Sequence, residues 1–219
     1  MRAARCTANR QLMEKMMKLY NSIGPNPKVV RMFMAELGME VEKEEVDLMG
    51  GVNRREPYLS INPGGQLPAL ELDSGVVISE ITGICEYLNE CQGGTPLIGS
   101  DSDERAVTRM WVRRIDLGIV ENITSGFRYA EGVPIFKDRM TLIPNAAEDL
   151  KKLAQEKITW LDKLIEGKEF ICGNRFSLAD IMLFVFLEFG ATVGQPLNEK
   201  NKNIMAWFER VSSRPSSSA

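Results

Sequence analysis

The chain has 219 residues, 44% of them hydrophobic, enough to fill one large or two small cores without cross-links. Its 27 Lys and Arg stand against 30 Asp and Glu, and a net charge of -3 sets up no field that would gather nucleic acid or an anionic membrane. Histidine is absent, which removes Ser-His-Asp and Cys-His nucleophile systems and most zinc sites together.

The four cysteines, Cys6, Cys85, Cys91 and Cys172, have no metal-ligand spacing, so a reducing, cytoplasmic setting and no metal are expected. The longest apolar run, around residues 181–189, is interrupted by Glu188 and is too short to cross a bilayer. A soluble protein with neither nucleic acid nor membrane as partner is expected.

Residues 1–16 carry Arg2, Arg5, Arg10 and Lys15 against Glu14 alone and lack a secretory apolar core. They read as a disordered extension, either an organelle transit peptide or, preferably, a start placed too early before Met16 or Met17. The fold is expected to begin near Met17. Residues 18–21 form a short apolar-polar run stopped by Gly24-Pro25-Asn26-Pro27, after which Val30, Phe33, Met34 and Leu37 recur at helical spacing. Asn26 is placed to cap that helix with Pro27 in its first turn, and Gly38 to end it. Residues 41–48 read as a second strand whose charged middle suits a sheet edge.

A helical stretch at residues 57–60 leads to Asn62-Pro63-Gly64-Gly65. Two strands follow, residues 67–72 and 76–79, around an Asp73-Ser74-Gly75 turn. Helical spacing returns at Ile81, Ile84, Cys85 and Leu88, which puts Cys85 on the core side, and fades at Gly93-Gly94.

The polar residues 95–102 read as a linker between a β-α-β-α-β-β-α domain, residues 17–94, and an all-helical domain, residues 103–219. In the latter, Leu150, Leu153, Ile158, Leu161 and Leu164 suggest one buried stripe. Ser177 and Asp180 form a capping box, with Phe176 able to staple onto Ile181. The tail Ser216-Ser217-Ser218-Ala219 is expected to fray.

Three segments in order resemble the glutathione transferase superfamily, in particular its bacterial-type, theta-like or nu-like members: Asn62-Pro63-Gly64-Gly65-Gln66-Leu67-Pro68-Ala69-Leu70, then Glu80 opening a helix, then Ser177-Leu178-Ala179-Asp180. The resemblance implies a thioredoxin-like N-terminal domain with a C-terminal helical bundle. It also implies glutathione as co-substrate, a homodimer, and conjugation of the glutathione sulfur to a small electrophile in a detoxifying role, or reduction of a peroxide or disulfide. A non-catalytic glutathione-binding or protein-interaction module on the same fold is the alternative.

By the same resemblance Pro68 is cis, and Leu67 ahead of it pairs its main chain with the cysteinyl unit of the tripeptide. Glu80 takes the γ-glutamyl ammonium while the helix start it opens takes the carboxylate. The family's serine after that acid is Ile81 here, so only the backbone N–H of Ile81 carries over. Gln66 and Asn53 fall where members contact the peptide or its glycyl end, and Arg54 or Arg55 could add charge there.

The thiol-activating group stays open. Asn26, Ser22 and Tyr20 are the candidates in that order, because the serine of the serine-type classes falls on Gly24. No cysteine lies in this loop, against a mixed-disulfide type. Trp111, Arg114, Ile115 and Phe127, with Tyr129, are candidates by position for a second-substrate pocket between domains.

Overall fold

The computed structural model describes residues 17–219; the expectations for residues 1–16, and for Cys6, lie outside the described residues. Two compact units divide between Thr95 and Pro96, with Ser218 and Ala219 grouped with the first.

The first unit opens with β1 (Met17–Asn21), then α1 (Pro25–Leu37) and β2 (Glu42–Glu45). The short α2 (Tyr58–Ile61), β3 (Ala69–Leu72), β4 (Val77–Ser79) and α3 (Ile81–Cys91) follow. The sheet order is β2-β1-β3-β4, parallel between β1 and β2 and antiparallel elsewhere. The edge suspected for residues 41–48 is β2, whose four side chains are all charged and exposed, so they discourage pairing with a further strand.

Alternation along β1 sends Leu19 and Tyr20 to opposite faces, and both are buried. Leu19 stands opposite Leu70 in the ladder, and α1 and α3 pack against each other. On Tyr20's side, Val46, Tyr58, Leu67 and Ala69 complete a cluster. Cys85 is fully buried on α3, and that burial pushes its thiol up, as expected of a core residue.

Helix α1 starts two residues earlier than its sequence suggests. Gly24, with φ 106°, is the N-cap and Pro25 the first helical residue, so Asn26 lies inside the first turn and does not cap. Either start puts a proline at the first helical position; the earlier one holds both Pro25 and Pro27 within the first turn, where neither has an N–H to leave unpaired, and forgoes the cap offered by Asn26. Gly38, at φ 59°, ends the helix while its N–H and that of Met39 close onto Ala35 and Met34. The pairing of β3 begins at Ala69, two residues later than the apolar pattern, because Pro68 has no N–H to give a ladder.

The second unit contains α4 (Ser102–Ile115), a π turn over Asp116–Val120, α5 (Glu121–Arg128), α6 (Val133–Phe136), α7 (Ala147–Leu164), α8 (Leu178–Thr192) and α9 (Lys202–Ser212). Every residue of α8 from 178 to 187 is buried, as befits a central helix that packs on α4, α5 and α9. No helix among the described residues is long and apolar enough to cross a membrane.

The capping box is present. The Asp180 carboxylate accepts from the N–H and O–H of Ser177, each at 2.9 Å, from Ile171 N–H at 2.8 Å and from Trp207 Nε1–H at 2.9 Å. The stripe expected on α7 splits. Ala154, Ile158 and Leu161 are buried, whereas Leu153 and Leu164 lie on the exposed side. At 100° per residue the five apolar residues span an arc of about 140°, with Leu153 and Leu164 at one border of it, and the neighbouring helices cover only the other side. The tail does not fray either. Pro215–Ser218 forms a 3₁₀ turn, Ser216 is buried, and Ser217 Oγ donates to the Ser212 carbonyl at 2.8 Å.

Candidate functional site

Register decides which sequence positions meet. Tyr20 on β1 stands opposite Ala69 on β3, and Ala69 opposite Ser79 on β4, so these three form one row across the sheet. The residues just beyond that row therefore emerge at one end: Asn21 to Gly24 after β1, Leu67 and Pro68 before β3, and Glu80 after β4. Neighbouring strands lie about 4.8 Å apart, so the row spans roughly 10 Å, about the length of an extended tripeptide.

The loop after β1 is tied down by a polar net. Val46 N–H donates to the Asn21 carbonyl at 2.8 Å and Ser22 Oγ to the Val46 carbonyl at 2.7 Å. Arg31 of α1 donates to Asn21 Oδ1 at 2.8 Å and to the Ser22 carbonyl at 3.1 Å, while Asn21 Nδ2 reaches Glu45. Sequence reasoning missed Arg31 and Glu45, because nothing in their local pattern marks a contact that depends on the β1–β2 register.

This net bears directly on the three thiol-activating candidates. Ser22 is buried and its single proton is committed to Val46. Tyr20 Oη donates to Glu71 Oε2 at 2.6 Å, and burial, with Glu71 beside it, pushes the phenol above its ordinary range. Neither hydroxyl has a proton to offer a sulfur.

Asn26 stands differently. Pro25 and Pro27 have no N–H, and Lys28 N–H is bonded to the Gly24 carbonyl at 3.3 Å. Among the described residues the Asn26 N–H thus has no acceptor within the first turn, and the partly exposed Asn26 side chain lies beside it. Gly24, at φ 106°, lets the chain turn into the helix without a side chain over that amide.

The segment before β3 is held from inside. Asn53 is buried and donates through Nδ2 to the Gly65 carbonyl at 2.7 Å, so it faces the loop and does not reach outward to a glycyl carboxylate. Arg54 donates to the Gly64 carbonyl and Arg55 to the carbonyls of Gly50 and Gly51. Their charges lie along these backbone turns. The Leu67–Pro68 bond is cis, as the resemblance implied, and so is Glu56–Pro57. The Leu67 side chain is buried, yet among the described residues its N–H and C=O meet no main-chain partner.

Glu80 is the N-cap of α3, with its side chain exposed and φ 71°. It is the non-glycine residue with positive φ among the described residues, a conformation that costs roughly 1–3 kcal/mol and concentrates at functional positions. Ile81 begins the helix behind it.

The second-substrate candidates lie in the helical unit and do different things there. Ile115 is 1% exposed and belongs to the core, so it offers no surface to a substrate. Trp111 is buried against Trp160, ring centroids 6.2 Å apart, with the Arg114 guanidinium 5.1 Å above it. Phe127 sets its ring edge-to-face with Phe136 and Phe189. These contacts are packing, which helical spacing alone cannot separate from ligand contact.

A thioredoxin-like sheet with a cis proline leading into an inner strand, joined in sequence to a helical bundle that carries a Ser-Leu-Ala-Asp cap, defines the class. The family described as glutathione S-transferase, N-terminal domain, matches residues 23–91, and glutathione S-transferase, C-terminal domain, matches residues 135–215. The chain is 30% identical over 209 residues to glutathione S-transferase 2 of Saccharomyces cerevisiae, covering 93% of this chain and 89% of that protein. The crystal structure of Gtt2 from Saccharomyces cerevisiae superposes with TM-score 0.87 at 27% identity, covering 92% of this chain and 98% of the other. A glutathione S-transferase domain-containing protein of Marinobacter aquaeolei gives 0.86 at 33% identity, covering 91% and 98%. The chain belongs to the glutathione transferase superfamily.

Proposed function

We propose that this protein binds glutathione along the sheet end formed by Leu67, Pro68 and Glu80 and transfers its sulfur to a small electrophile. The observation that carries the reading is the main chain of Leu67, without a partner among the described residues and in register with Glu80 and with the start of α1. The peptide backbone of glutathione would satisfy Leu67 as one more strand would. The carboxylate of Glu80 would hold the ammonium of the γ-glutamyl unit, and the N–H groups opening α3, Ile81 first, its carboxylate.

A thiol of ordinary pKa near 8.5 must fall by about two units, roughly 2.7 kcal/mol, to be mostly ionised at neutral pH. A hydrogen bond to a charged acceptor contributes about 1.5–3 kcal/mol, and a helix N-terminus adds up to about 2. The Asn26 N–H, its side-chain amide and the positive end of α1 together supply enough. The thiol gives its proton to solvent. The thiolate sulfur then forms a bond to the electrophilic carbon with its lone pair, and the leaving group departs with the electrons of the bond that breaks.

Calorimetric titration with glutathione, followed by turnover of a chromogenic aryl halide and of a small disulfide, tests this. Binding with aryl-halide turnover is expected. Disulfide turnover alone would replace conjugation by reduction, binding without either activity would favour a binding module, and no binding would overturn the reading. A two-fold symmetric homodimer in the cytoplasm, with a detoxifying role, completes the proposal; sizing of the purified protein as a monomer would remove the dimer.

A further inference from the structure

The loop ahead of Leu67 has an uncommon polar arrangement: three successive carbonyls, those of Gly64, Gly65 and Gln66, are all taken by side chains of the same unit. Arg54 donates to Gly64, Asn53 to Gly65 at 2.7 Å, and the Gln66 carbonyl accepts twice, from Tyr58 Oη at 2.7 Å and Asn62 Nδ2 at 2.9 Å. Asn53, Tyr58 and Asn62 are each buried. Asn62 also accepts from Gly64 N–H through its Oδ1 at 3.2 Å, so both ends of its amide are spent on this one turn.

The consequence follows from peptide geometry. The Gly65–Gln66 and Gln66–Leu67 bonds are trans, since Glu56–Pro57 and Leu67–Pro68 are the cis bonds. In a planar trans peptide the C=O and the next N–H point in opposite directions. Carbonyls of Gly65 and Gln66 drawn toward buried donors therefore turn the N–H groups of Gln66 and Leu67 the other way. Among the described residues neither N–H has an acceptor.

We propose that Tyr58, Asn62 and Asn53 are positioning residues for the tripeptide: they fix two consecutive peptide planes so that the Gln66 and Leu67 N–H groups present a paired donor edge to glutathione. This rests on the functional reading above and extends it to residues that touch no ligand. The Tyr58 hydroxyl and the Asn62 amide act as a pair, because together they fill both lone pairs of one carbonyl and leave that plane a single orientation. Burial pushes the Tyr58 phenol up to about 12, so it remains a neutral donor through the physiological range. Asn53 holds the preceding plane. Gly65 is confined to glycine by φ 58° and by the Asn53 carbonyl, 2.9 Å from where a Cβ would sit, so the loop cannot swing away from its donors.

Two variants test the pair without disturbing packing. Tyr58→Phe removes the hydroxyl and keeps the ring, and Asn62→Asp keeps the acceptor for Gly64 and removes the donor for Gln66. Each is expected to raise the glutathione Kd by calorimetry, and KM for glutathione, about five- to tenfold, the loss of one ordering hydrogen bond. The kcat at saturating glutathione and the KM for the aryl halide should stay within about twofold of wild type. In wild type, glutathione should also shift the amide resonances of Gln66 and Leu67 together, and that paired response should weaken in both variants.

Absence of glutathione binding by the wild-type protein would overturn the functional reading itself. Wild-type binding with unchanged affinity in both variants would overturn the positioning role alone, as would equal losses in kcat and glutathione affinity accompanied by a fall in Tm.

Discussion

The loop before β3 and the start of α8 are both turns in which buried polar side chains govern the backbone, and they end in opposite states. At α8 every donor converges on one carboxylate, and Asp180, wholly buried, accepts four hydrogen bonds from Ile171, Ser177 and Trp207. Before β3 the side chains capture the carbonyls and leave two N–H groups without acceptors among the described residues, next to a residue, Glu80, in a costly conformation. A closed network stabilises the fold and has nothing left to offer a ligand. An open one forgoes some stability and keeps donors available.

The contrast breaks first at Asp180. Asp180→Ala would leave several buried donors unpaired at once, and a loss of about 4 kcal/mol or more in unfolding free energy is expected, read by chemical denaturation. A loss under about 1 kcal/mol would show that the network is not closed.

The same group gives a pH signature. Burial pushes the Asp180 carboxyl up from 3.8 to about 6, against the pull of its four donors. The folded state therefore holds this proton more tightly than the unfolded chain does, and the contribution of Asp180 to stability is largest below pH 4 and falls as pH rises to about 6. Relative to Asp180→Asn, wild type should lose about 3 kcal/mol across that window and stay level above it. A flat difference between the two proteins would place the carboxyl at its ordinary value.

On the open side the effects are smaller and appear in binding. Glu80→Gln removes the charge that would meet the γ-glutamyl ammonium and should weaken glutathione about tenfold by calorimetry, with little change in Tm. Asn26→Ala keeps the backbone N–H and loses only the side-chain amide, so the pKa of bound thiol, read from thiolate absorbance against pH, should rise by about half to one unit. Least of all, Tyr20→Phe should alter kcat by less than about twofold, because its hydroxyl is directed at Glu71. A large loss of kcat in that variant would restore Tyr20 as the activating group and remove the distinction drawn at Asn26.

Much of this was readable in the chain. The order of elements, the Gly38 stop, the edge character of β2 and the Ser177–Asp180 box are all written within a few residues of where they act. The Asn62-Pro63-Gly64-Gly65 run stood out as a turn, and Glu80 through the resemblance to the family. The role of Asn53 was harder: its residue type suits a ligand contact, and only the path of the loop sends its amide to Gly65. Tyr58 gave no sign, since its hydroxyl meets the Gln66 carbonyl across the loop.

Apolar spacing likewise could not tell that Leu153 and Leu164 are exposed while Ile158 and Leu161 are buried, because the neighbours of α7 decide which arc of the helix is covered. The sequence by itself determined the elements, their order and the stops and caps at Gly38 and Ser177, though not the start of α1, through backbone preferences that act over one or two turns. Only the tertiary structure decided which hydroxyls remain free for chemistry, which carbonyls turn inward and which side of a helix meets solvent. A hydrogen-bonding group is defined by the partner it finds, and here those partners come from other strands and other loops.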